Sequence, residues 1–336
     1  MKKSLLALAV LGAFSGIASA QSNVTIYGVV DLGLANDNNG GAAGSVTRMD
    51  SGILNGSRLG FKGTEDLGGG LSANFQLENG FSADTGTLGQ GGRLFGRQAW
   101  VGIAGGFGAV KLGRQMTPVY ANSSTFDPFE DALAGDSARL FNYSGSRTDN
   151  AITYGYDANG IRAQLQYGFG EVAGNTSGSR TIGAFGGYKN GPIDVVLTYT
   201  ANNDATGNVR GKTTLLGGNY NFGMAKVYAA YAWNKDVVAP TGAVALGADT
   251  RNALIGVAVP VGSAGSFKAS YIRLSDKVKR NADANQIAIG YVHDLSKRTA
   301  LYTSFSRTGN DGAASYNAGA AGATDKLFNV GIRHKF

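Results

Sequence analysis

The sequence predicts an all-β fold, a closed antiparallel barrel of about sixteen strands that crosses a membrane. Three observations predict it. Apolar and polar residues alternate with period two in segments of about ten residues. The connections between segments are tight turns and long polar loops in alternation. Aromatic residues collect near the segment ends, as in a girdle at each lipid interface.

The compartment is legible first. Lys2 and Lys3 precede an apolar stretch from Leu5 to Ile17, and Ala18-Ser19-Ala20 supplies small residues for cleavage before Gln21. This predicts a signal peptide over residues 1–20 and a barrel domain over residues 21–336. The stretch is shorter than the ~20 residues a membrane helix needs, and no later run of ~18 apolar residues exists. The chain has no cysteine, which removes disulfides, thiol catalysis and thiolate metal sites. The formal charge of +7 falls to +5 without Lys2 and Lys3, and no polybasic run suggests nucleic acid.

Alternation is clean in several segments. Leu71, Ala73, Phe75 and Leu77 oppose Ser72, Asn74, Gln76 and Glu78, and Ile161, Ala163, Leu165, Tyr167 and Phe169 oppose Arg162, Gln164 and Gln166. Ile193, Val195, Leu197 and Tyr199 form a third apolar set, and Phe328, Val330, Ile332 and Phe336 a fourth. Tight turns are expected at 66–70, 105–108, 157–160, 190–192 and 295–297, and long loops at 36–50, 82–92, 201–211 and 308–324. The expected girdle comprises Tyr27, Phe81, Phe107, Tyr154, Tyr167, Phe169, Tyr188, Tyr199, Phe222, Trp233, Tyr271 and Tyr291. A soluble sandwich also alternates, but polar residues in mid-strand without a second buried face favour a wet lumen, and an open sheet of this size leaves long edges.

One connection is unlike the rest. More than thirty residues separate Gln115 from Ala151, and Tyr120, Phe126, Phe129, Leu133, Leu140, Phe141 and Tyr143 give them apolar surface to pack with. This loop is expected to fold into the barrel.

The segments SRLGFKGTEDLGGGL at 57–71, LFGRQAWVGIAGGFGAVKLGRQ at 94–115 and SRTDNAITYGY at 146–156 resemble the general trimeric porins of Gram-negative bacteria, in particular their beta-proteobacterial branch. The resemblance runs from NVTIYGVVDLGL at Asn23 to Phe336. It implies a 16-stranded antiparallel transmembrane β-barrel in the outer membrane, assembled as a homotrimer, with an inward-folded third external loop that forms a constriction.

It also implies wall arginines facing loop acids: by motif, Arg58, Arg114 and Arg147 against Asp127, Glu130, Asp131 and Asp136. Alternation supports Arg58 and Lys62 on the face opposite Leu59 and Phe61. Arg114 shares parity with Val110 and Leu112, so a bulge is needed to turn it inward. Arg97 shares parity with Ala99, Val101 and Ile103 but lies in the segment that resembles the constriction wall. The loop acids have a second reading, as ordinary loop carboxylates with Asp127 capping ahead of Pro128. Opposed charges across a narrow passage would order water and penalise apolar solutes, and the surplus of Arg and Lys predicts a preference for anions.

The terminal Phe336, ending an alternating strand, resembles the signal read by the barrel-assembly machinery. His293 and His334 lie in no metal or triad motif, and GNVRGKT at 207–213 lacks one residue of a phosphate-binding loop. Glu130 and Asp131 are paired without the ordered spacing of a calcium loop. The expectation is therefore a passive channel for small hydrophilic solutes, without cofactor, metal or covalent chemistry, whose partners are its own copies, outer-membrane lipids and the assembly machinery. An outer-membrane barrel enzyme and a plugged adhesin-type barrel are the alternatives.

Overall fold

A computed structural model describes residues 23–279 and 281–336; the expected signal peptide lies outside the described residues. Its strands are β1 (Asn23–Asn38), β2 (Val46–Ser51), β3 (Arg58–Gly68), β4 (Leu71–Gly80), β5 (Gln98–Gly105), β6 (Gly108–Met116), β7 (Arg147–Ala158) and β8 (Ile161–Gly168). They continue as β9 (Thr181–Asn190), β10 (Ile193–Asn203), β11 (Arg210–Asn221), β12 (Lys226–Val238), β13 (Ala243–Val261), β14 (Gly265–Asp276), β15 (Ala284–Asp294), β16 (Thr299–Asn310) and β17 (Asp325–Lys335). All belong to one antiparallel sheet, closed where Val29 to Asn38 of β1 pair with Lys335 to Lys326 of β17.

Seventeen segments make sixteen staves. β2 pairs with β1 from Asp37↔Val46 to Leu32↔Ser51, and β3 takes over the same edge from Val29↔Arg58 to Asn23↔Thr64. The two are one stave interrupted at residues 52–57. The interruption is held by buried Asp31, whose carboxylate accepts from the Leu54 and Asn55 amides at 2.9 and 2.6 Å. Two of the amides the ladder loses there are thereby satisfied by charge-assisted bonds.

Turns such as those after β3, β5, β7 and β9 sit on one rim, with Asn23 and Phe336; the longer loops sit on the other. The loop expected at 201–211 is shorter than its polar composition suggests, because Asn202↔Gly211 and Asn203↔Arg210 still pair and leave only 204–209 unpaired. At the seam, Phe336 N donates to Gly28 O at 3.1 Å and Gly28 N to Phe336 O at 3.0 Å. The Phe336 ring occupies the space a Cβ on residue 28 would need, so any larger residue there must displace that ring.

Alternation assigns the two faces. Val101, Ile103, Leu165 and Leu197 expose 58%, 50%, 63% and 51% of their surface outward, while Gln166 and Thr198, of opposite parity, are buried inside. Outward Tyr and Trp residues run from Tyr154 on β7 to Tyr291 on β15, including Tyr188, Tyr231, Trp233 and Tyr271. Among the described residues, none points outward from β16, β17 or β1–β6. Tyr27, expected in the girdle, instead faces the lumen, where its hydroxyl donates to Glu78 at 2.8 Å.

The connection between β6 and β7 is the third on the long-loop rim, and it folds into the barrel. Short helical turns at Pro118–Ala121 and Ser123–Phe126 lead it along β8–β12. Val119, Phe126, Leu140 and Phe141 pack on inward Val196, Leu215, Leu254 and Ile272, and Phe129 and Leu133 on Leu54, Ala288 and Tyr302. Each fully buried side chain of this size contributes about 1.5–3 kcal/mol relative to exposure. Wall side chains satisfy the loop backbone: Asn219 Nδ2 donates to Thr125 O at 2.7 Å, Asn252 Nδ2 to Leu140 O at 2.9 Å, and Ala134 N to Ser304 Oγ at 2.9 Å. The docking wall is marked in the sequence by apolar pairs that break alternation: Val195-Val196, Leu215-Leu216, Leu254-Ile255 and Tyr271-Ile272. One member faces outward and the other lies under the loop.

Candidate functional site

Because the loop hugs β9–β16, the open part of the lumen runs along β1 and β3–β7. Register stacks its basic residues in levels. Arg58 pairs across to Gly80, Tyr27 to Gly60 and on to Glu78, Thr25 to Lys62, Gln76 and Trp100, and Asn74 to Gly102 and Lys111. The wall thus presents arginines near mid-depth and lysines toward the short-turn rim.

Arg58, Arg97 and Arg147 come together, within electrostatic reach of one another. Buried Arg97 is neutralised, its Nε donating at 2.7 Å to Glu78, which is also buried and also bound to Tyr27. Arg58 Nε donates to Gly56 O at 3.1 Å. Arg147 Nε donates to Arg97 O at 2.7 Å and its Nη1 to Ser146 Oγ at 3.0 Å, while its Nη2 is buried without an acceptor. The Arg147 guanidinium lies 5.4 Å from the centroid of the Tyr120 ring, an aromatic side chain of the inward loop.

Arg114 is diverted from this group. The ladder between β6 and β7 shifts register between Gly113 and Gln115, but the extra residue lies on β7, where Ala151 to Thr148 takes three steps against two, and toward β5 Arg114 still pairs in register with Ala99, keeping the parity of Leu112. The side chain ends at the Gly96 carbonyl, 2.7 Å away, and in an ion pair with Asp149, which also holds Arg93 at 2.8 Å. Lys62 and Lys111 lie lower, their ammonium groups 5.4 Å and 4.3 Å from the ring centroids of Tyr27 and Trp100.

The loop acids are placed differently from the expected opposition of charges. Asp127 is fully buried and accepts from the amides of Phe129, Asp131 and Ser137 at 2.8, 3.3 and 3.0 Å, so it organises the loop. Asp131 and Asp136 converge on it, with carboxylate oxygens of all three within 4.8 Å of one another. Burial, then the charge of Asp127, pushes Asp136 up to about 7; burial and both neighbouring carboxylates push Asp131 up as well, and burial raises Asp127. Three carboxyls so close and so dry oppose one another's ionisation, and Asp136 gives up its proton only at about 7.

Glu130 turns away from the arginines toward Lys268 on β14, with 3.5 Å between Oε1 and Nζ. It borders a cavity of about 670 Å³ with Arg333, Lys297 and Asp294. Among the described residues, no loop carboxylate is ion-paired with Arg58, Arg97, Arg114 or Arg147. The wall's own Glu78 and Asp149 take that part. Sequence reasoning misses both in this role, because cross-strand neighbours are set by register, although Glu78 stands with Asn74 and Gln76 on the polar face.

A closed sixteen-stave barrel with lipid-facing apolar residues, a polar lumen and an inward loop defines a channel-forming outer-membrane protein. The chain belongs to the Gram-negative porin family, whose model matches residues 7–313. It is 37% identical to Outer membrane porin protein 32 of Delftia acidovorans, over 100% of both chains, and 33% identical to an outer membrane porin protein of Bordetella pertussis, again over 100% of both. Among solved structures, the anion-selective porin from Comamonas acidovorans superposes with a TM-score of 0.83 at 33% identity, covering 94% of this chain and 100% of that one.

Proposed function

We propose that this outer-membrane porin passes small hydrophilic anions in preference to cations, by diffusion and without covalent chemistry. One observation carries the reading: Arg58, Arg147, Lys62 and Lys111 line the open wall with no carboxylate paired to any of them among the described residues. In a narrow passage of low-dielectric walls, such uncompensated charge raises the local anion concentration and repels cations. The constriction lies between Arg58 and Arg147 on the wall and Tyr120 on the loop, with Arg97 bound to Glu78 as its support. Asp127, Asp131 and Asp136 hold the loop in shape, and Arg114 with Asp149 ties β6 to β7. Selectivity of the Comamonas acidovorans relative supports the same sign.

The assembly is a homotrimer in this reading. Tyr and Trp anchor barrels at lipid headgroups. Their absence from the outward faces of β16, β17 and β1–β6, among the described residues, leaves an arc suited to protein contact. The test is reversal potential in a planar bilayer under a salt gradient. Wild type should show anion bias, and Arg58→Gln with Arg147→Gln should reduce it severalfold. A cation bias, or an unchanged potential in the double variant, overturns the assignment.

A further inference from the structure

Below the arginines, the polar wall contains an aromatic side chain that the diffusion of simple ions does not require. Trp100 shares parity with Gly102, opposite outward Val101 and Ile103, so its indole lies in the lumen, at one level with Gln76 and Lys62. Its Nε1 donates to Gln98 Oε1 at 3.1 Å, and Lys111 lies over its ring. The indole belongs neither to the hydrophobic clusters under the loop nor to the lipid face, so no packed core accounts for it.

Cavities flank the indole on two sides. One, of about 370 Å³, is bordered by Lys62, Thr25, Asn74, Gln76 and Trp100; the other, of about 260 Å³, is bordered by Lys111 and Trp100. The first has the dimensions of a single-ring solute pocket. It offers a flat π surface, an ammonium group free of carboxylate, and amide and hydroxyl groups between them. We infer that this wall is a binding station for single-ring aromatic carboxylates, with the solute ring against Trp100, the carboxylate at Lys62 and ring hydroxyls at Asn74 or Gln76. Aromatic stacking discriminates a flat ring from a saturated one, while the lysine selects the charge. The station lies on the path between the arginines and the short-turn rim, so it raises the residence of such solutes just past the constriction. The inference rests on the channel reading above.

The experiment measures block of chloride current in reconstituted channels by benzoate, cyclohexanecarboxylate and acetate. Benzoate should half-block at a concentration about fivefold below cyclohexanecarboxylate and lower still against acetate. Trp100→Ala should bring the first ratio to about one and Trp100→Phe should keep most of it. Equal block by benzoate and cyclohexanecarboxylate in wild type, or an undiminished ratio in Trp100→Ala, overturns the inference; absence of any chloride current overturns the channel reading instead. A second readout does not depend on the alanine variant folding. Trp100 and Trp233 are the two tryptophans of the chain, so in Trp233→Phe the emission reports Trp100 alone. Benzoate should change that emission saturably and acetate should not; no saturable change overturns the station.

Discussion

The Tyr302 hydroxyl donates to the Asp31 carboxylate at 2.6 Å, a contact between residues 271 positions apart in the chain that crosses the seam where the barrel closes. Asp31 lies on β1 and Tyr302 on β16, with β17 between them. The same carboxylate holds the interrupted stave, and Leu54 in that interruption packs against Phe129 and Leu133 of the inward loop. Closure of the wall and seating of the loop therefore share one buried charge.

Replacing Tyr302 with Phe should cost about 1.5–3 kcal/mol, the usual worth of a hydrogen bond to a charged group. Asp31→Ala should cost more, because it also leaves the Leu54 and Asn55 amides without their acceptor. Heat-induced loss of the compact form in detergent gives the order; a Tyr302→Phe variant less stable than Asp31→Ala contradicts it.

The Arg97–Glu78 pair is buried on both sides, with 9% and 3% of the side chains exposed. Glu78→Leu alone strands a buried guanidinium and should destabilise by about 3–5 kcal/mol, whereas Glu78→Leu with Arg97→Met should recover most of the loss. Urea unfolding of the refolded variants in micelles measures both, and additive losses would show that the two side chains are not coupled.

The loop carboxylates predict a pH dependence with a definite sign. The pKa of Asp136 is raised from an unfolded value near 4 to about 7, so the native loop binds more protons than the released loop between those limits. Its contribution to loop stability is complete below pH ~4 and is lost as pH rises through about 7. Amide exchange at loop residues such as Leu140 should be slower at pH 5 than at pH 8 after correction for intrinsic rates. Asp136→Asn should flatten that difference, and a loop that exchanges equally at both values would contradict a raised Asp136 in the folded loop.

The outward arc without Tyr or Trp predicts where the subunits meet. Ile26→Lys on β1 should dissociate the assembly into monomers, while Val195→Lys on β10 should leave the oligomer intact and weaken insertion into lipid instead. Mass measured by light scattering in mild detergent distinguishes the two, and equal effects at both positions would remove the basis for the interface.

Much of this architecture is legible because a strand has only two faces. Parity alone places Arg58 and Lys62 opposite Leu59 and Phe61, and it requires a bulge on β6 before Arg114 can turn inward, whereas the irregularity beside it adds its extra residue to β7. Parity does not reveal which residue on the next strand lies level, so Glu78 beside Arg97 and Asp149 beside Arg114 stay hidden. The loop is harder still. Its apolar residues predict docking, but the direction of each carboxylate depends on backbone donors: three amides turn Asp127 inward, while Glu130, at a φ of 59°, swings out to Lys268. The docking wall itself leaves a readable trace in its doubled apolar residues.

The inward loop lies against one side of the barrel, and that placement has a bearing on how such a channel changes over generations. A solute meets charges rooted in a sheet whose register fixes each one in height and direction, with the loop serving mainly as a wedge that narrows the way. Preference for one solute over another can then be revised by exchanging single inward residues on β3–β6, with neither the wedge nor the barrel rebuilt. The loops of the outer rim, carrying little of that burden, are free to vary under pressure from whatever meets the cell surface.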